Sequence, residues 1–60
     1  MKKDDVREIT EDIHLSISLL EEIRSVLLLY CESSLADMVS FPISQMKQLY
    51  IEVKSKEEEA

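Results

Sequence analysis

Three groupings in this sequence have residue types that could do chemistry. Glu11-Asp12-Ile13-His14 sets a carboxylate and an imidazole three residues apart. Helical bundles hold paired metal ions with that spacing, and a dimer would duplicate it as such a centre requires. Ser16, Ser18, Ser25, Ser33 and Ser34 supply hydroxyls, and Cys31 supplies the one thiol. Metal ligands must project into a bundle core, whereas helical spacing puts Glu11 and His14 on a polar stripe with Arg7, Ser18, Glu21, Glu22, Ser25 and Glu32. Glu52, in the middle of a second helix, also faces away from that helix's apolar side. No histidine stands where it could serve a serine as base. Cys31 falls on the apolar arc beside Glu32, a charge of the wrong sign for a reactive thiolate, and reads as a small buried hydrophobe. The residues therefore give no catalytic group, no metal set and no cofactor site, and the polar stripe reads as a solvated acidic face.

The elements that position these residues are helices. Asp4, Asp5 and Glu8 suit a helix N-terminus. From there Val6, Ile9, Ile13, Ile17, Leu20, Ile23, Leu27 and Cys31 recur at helical spacing. Ile13–Leu19 alternates like a strand, but the longer helical frame on both sides outweighs seven residues. The first helix is expected over about 4–33. Its apolar arc has two flanks: Leu19, Ile23, Val26 and Tyr30 on one, Ile13, Ile17, Leu20, Leu27 and Cys31 on the other. The connection is expected at about 34–41, with a short helical turn admitted inside it, because Phe41 precedes Pro42 and is pushed toward extended geometry. A shorter second helix over about 42–56 carries Ile43, Met46, Leu49, Tyr50 and Val53 on one side. Residues 57–60 should fray, since glutamates at a helix C-terminus oppose the macrodipole.

Sixty residues make one domain at the lower edge of independent stability. One cysteine excludes an internal disulfide framework, and no cysteine–histidine cluster offers a zinc staple. The chain has no glycine and one proline, a helical composition rather than that of a sandwich or barrel. Small all-α chains of this kind escape marginal stability by association. The expected architecture is thus a helical hairpin whose second apolar flank is covered in a homodimeric four-helix bundle, with Leu19, Ile23, Val26 and Tyr30 at the interface.

A net charge of −6 argues against direct nucleic-acid binding. The longest apolar run, Val26–Cys31, is too short for a membrane span, and Met1-Lys2-Lys3 leads into no signal-type apolar region. With its single thiol the chain reads as cytoplasmic.

Arg7 and His14 are similar in spacing to the Arg-x6-His of HEPN-type ribonucleases, which are built on a larger bundle. Glu21-Glu22-Ile23-Arg24 followed by Leu27-Leu28-Leu29 resembles the interaction helix of small antirepressor hairpins. Ser44-Gln45 resembles the start of the Ser-Gln-x-x-Asp signature of small sporulation phosphatase hairpins, but Gln48 stands in the aspartate's place. These likenesses cover a few residues each and assign the chain to no family.

The functional expectation is a small acidic, non-enzymatic module that acts by binding another protein, as inhibitors, antirepressors, antitoxins and phage accessory proteins do. The stripe Glu11, Glu21, Glu22 and Glu32 would face that partner, even as a mimic of nucleic acid. The alternative is a purely structural homo-oligomer, a scaffold or chaperone component.

Overall fold

The computed structural model describes the backbone of residues 1–59 and the side chains of residues 1–57. Two helices, α1 (Lys3–Leu29) and α2 (Ser33–Glu59), pack against each other as an antiparallel hairpin. The alternating segment Ile13–Leu19 lies inside α1, so the longer period decides its structure. The hairpin measures 46 × 14 × 8 Å.

Both helices turn a seven-residue pattern inward. On α1 the inward positions are Val6, Thr10, Ile13, Ile17, Leu20 and Leu27, with Arg24 filling the remaining place and Ser16 half-buried beside them. On α2, among the described residues, they are Ala36, Val39, Ile43, Met46, Tyr50 and Val53, then Glu57, with Ser40 and Pro42 half-buried beside them. Steps of three and four alternate on both, the narrow seam by which two helices pack along their length. Val6, Ile13 and Val53 are buried together, with Ile17, Met46 and Tyr50 packed against them. Thr10 is buried too, and its Oγ1 donates to the Arg7 carbonyl at 3.0 Å, so the seam carries no unsatisfied hydroxyl there.

The chain reverses at Tyr30–Glu32 without a glycine. Cys31 N–H donates to the Leu28 carbonyl at 3.0 Å and Glu32 N–H to the Leu27 carbonyl at 2.9 Å. This is the crossed pair of bonds that closes a helix when the next residue is left-handed. Cys31 is that residue, with φ 60°. A side chain there costs about 1 kcal/mol or more relative to glycine. The left-handed turn also swings Cys31 off the apolar arc, so the thiol expected to be buried is exposed.

The connection expected at 34–41 is helix, and the first helix stops at Leu29 instead of running to 33. The two helices, expected to be unequal, have 27 residues each. Pro42 lies inside α2. It deprives the Met38 carbonyl of its usual donor four residues on. The helix continues because Ala36 and Ile43, on either side of the proline, are both buried in the seam, and packing of such a seam outweighs local propensity. Of the segment 57–60, α2 includes residues through Glu59; Ala60 lies outside the described residues.

The molecule divides into an open half, residues 3–18 and 46–59, and a turn half, residues 19–45. Among the described residues, four of the six buried ones, Val6, Thr10, Ile13 and Val53, are in the open half. The turn half buries Ala36 and Ile43.

Candidate interaction face

The seam fixes what each flank carries. Residues one place before a seam position lie on one flank of each helix, and antiparallel packing brings those two flanks to the same side of the hairpin. On α1 this side holds Ile9, Asp12, Ser16, Leu19, Ile23 and Val26, then Tyr30 at the turn. On α2 it holds Leu35, Met38, Pro42, Gln45, Leu49 and Glu52. From Ser16 to Tyr30 and from Leu35 to Leu49 no position on this side is charged.

Most of that stretch is apolar and open to water, Ser16 and Pro42 being half-buried and Gln45 polar. Leu19 is 60% exposed, Ile23 49%, Val26 46% and Tyr30 72%, and across the turn Leu35 is 46% and Met38 65% exposed. A groove of about 380 Å³ runs along α1 between Leu19, Glu22, Ile23, Val26 and Leu27. Together the six exposed side chains offer roughly 700 Å², close to one partner's share of a standard protein–protein interface. The four α1 residues were legible from spacing. Leu35 and Met38 were not, because the sequence places them in a connection.

The opposite side is mostly polar, with Leu28 and Ile51 exposed on it. Arg7, Glu11, His14, Ser18, Glu21 and Ser25 of α1 are exposed along it. A second groove, about 300 Å³, lies there between His14, Ile17, Lys47, Tyr50 and Ile51. The His14 ring meets Tyr50 edge-on with centroids 4.8 Å apart, a geometry that ring quadrupoles favour. Glu11, Glu21, Glu22 and Glu32 are all exposed. They do not gather into one cluster but are strung along about 30 Å of α1 and its turn. Lys54 Nζ donates to Glu57 Oε2 at 3.3 Å.

The candidate chemistry is dispersed. Ser25, Ser40 and Ser55 turn their hydroxyls back onto the carbonyls of Glu21, Ala36 and Glu52. Among the described residues no three of His, Cys, Asp or Glu come together as a metal group. No described helix is long and apolar enough to cross a membrane. No family model, no curated protein and no solved structure matches this chain.

Proposed function

We propose that this protein is a small acidic interaction module that works by docking, without catalysis, through the uncharged face of its turn half. The observation that supports this is an exposed apolar surface spanning both helices in a protein of 60 residues. Apolar patches of this extent on small proteins mark interaction sites. The first occupant of the face is a second copy, which makes a homodimeric four-helix bundle. A chain that buries only Val6, Ile13, Ala36, Ile43 and Val53 as its core gains most by covering Leu19, Ile23, Val26 and Tyr30 as soon as it folds.

The dimer then presents Glu11, Glu21 and Glu32 outward, a line of carboxylates suited to a basic groove on a target protein, while Glu22, which lines the α1 groove, stands at the rim of the dimer interface. Inhibitors, antirepressors, antitoxins and phage accessory proteins act in this way. The setting is the cytoplasm, in keeping with the single thiol, and like-charge repulsion disfavours direct contact with nucleic acid.

Sedimentation equilibrium together with thermal melts over a hundredfold dilution tests the association. A dimer whose melting temperature rises with concentration is expected. A monomer melting at one temperature throughout overturns the homodimer and leaves the face to a different protein.

A second reading, a purely structural homo-oligomer, draws support from Leu15, Leu29 and Phe41. These are 64%, 78% and 73% exposed and point away from both the seam and the uncharged face. They would be the contacts by which dimers stack further. Growth beyond the dimer in the same sedimentation experiment favours the scaffold.

A further inference from the structure

The uncharged face occupies only part of the hairpin's length, and that restricts how a second copy can lie on it. This inference rests on the homodimer proposed above. On the interface side Asp12 follows Ser16 toward the open end of α1, and Glu52 follows Leu49 toward the open end of α2. A full-length overlap with the copies running in opposite directions would bring the carboxylates of each to the level of the other's Leu19, Ile23 and Pro42. Burying an unpaired carboxylate against apolar side chains is strongly unfavourable. A full-length overlap with both turns at the same end would set each copy's Asp12 and Glu52 at the level of their counterparts, like charge beside like. Sliding the copies apart until only the turn halves overlap avoids both.

We propose that the dimer is staggered: two hairpins running in opposite directions, overlapping through the uncharged stretch alone, with their open halves projecting at the two ends. The two-fold axis then passes near Ile23 and Pro42, the midpoints of the uncharged stretch on the two helices. The turn of each copy reaches Ser16 and Leu49 of the other and stops short of Asp12 and Glu52. The overlap is about 21 Å, the rise of the fourteen residue steps from Ser16 to Tyr30. Two hairpins 46 Å long with that overlap form a rod of roughly 70 Å: four helices in the middle and two at each end.

Cys31 tests this without any substitution, because it is the one cysteine, is exposed, and marks the hairpin tip. A nitroxide attached to it reads the tip-to-tip distance by pulsed dipolar spectroscopy. The stagger places the two tips about 25 Å apart, from eight residues of rise on each side of the axis plus the width of a helix pair. Full opposed overlap places them about 45 Å apart, and the side-by-side arrangement about 10 Å apart. Small-angle scattering of the unlabelled dimer gives an independent reading, with a maximum dimension near 70 Å for the stagger and near 50 Å for either full overlap. A dimer with the shorter dimension and either alternative distance overturns the stagger while leaving the homodimer standing. A monomer at every concentration removes both.

Discussion

The open half and the turn half of this hairpin are made from the same two helices with the same seven-residue seam, yet they solve the burial problem differently. In the open half Val6, Ile13 and Val53 fill the seam, Ile17, Met46 and Tyr50 pack against them, and Lys3, Arg7, Lys47 and Lys54 are exposed. In the turn half the buried seam residues are Ala36 and Ile43, Arg24 takes a seam position half-buried, and the large apolar side chains stand outside. Nine of them are exposed between residues 19 and 41, from Leu19 to Phe41. A seam pattern therefore says which residues face the mate, but not whether the mate is enough. The open half buries more of its apolar side chains, leaving Ile9, Leu15, Leu49 and Ile51 exposed, whereas the turn half leaves nine outside.

The substitution with the largest expected effect strikes the open half. Val6→Asp puts a carboxylate at the most completely buried position, 1% exposed, with an expected loss of about 3–5 kcal/mol. Circular dichroism should show an unfolded chain at any concentration.

Ile23→Glu strikes the other half, placing a charge in the middle of the uncharged face. It should weaken association by about 2 kcal/mol, roughly thirtyfold in the dissociation constant, and helicity should fall with assembly. Ser25→Glu, two residues on and on the polar side, should leave both unchanged. If the two variants sediment alike, the division between the sides fails.

Arg24→Leu should make the turn half more like the open half. Replacing a half-buried guanidinium in the seam with an apolar side chain is expected to add about 1 kcal/mol, read as a raised melting temperature. The smallest effect belongs to the tip. Cys31→Gly relieves the left-handed strain but loosens the unfolded chain, for a net gain of about 0.5 kcal/mol in denaturant melts.

What could be read from the sequence follows the same division. Val6, Ile13 and Ile17 announce a helix face by spacing alone, and Leu19, Ile23, Val26 and Tyr30 separate from them as a second flank for the same reason. The hairpin and its two helices follow directly. The site of reversal does not, because the signal that marks it is normally a glycine, and Cys31 adopts the left-handed conformation without being one. Pro42 misleads in the opposite direction: a residue that usually opens or ends a helix sits within α2. Those two substitutes for the usual signals hid residues 33–41 as helix, and with them the α2 share of the face, Leu35 and Met38. The exposure of Glu11, His14, Ser18 and Ser25 could be read early, since each falls on the solvated side of a helical wheel.

Pro42 has a further consequence, for motion. It removes one rung from the hydrogen-bond ladder of α2 at the level of the turn half, where the seam is thinnest. The segment from Ser33 to Phe41 can therefore unwind as a unit smaller than the whole molecule, and its amides should exchange with solvent sooner than those around Val53, which open only when the open half does. Assembly changes this hierarchy. Once a partner covers Leu35 and Met38, unwinding that segment requires the partner to leave, and the fast-exchanging segment takes on the lifetime of the complex.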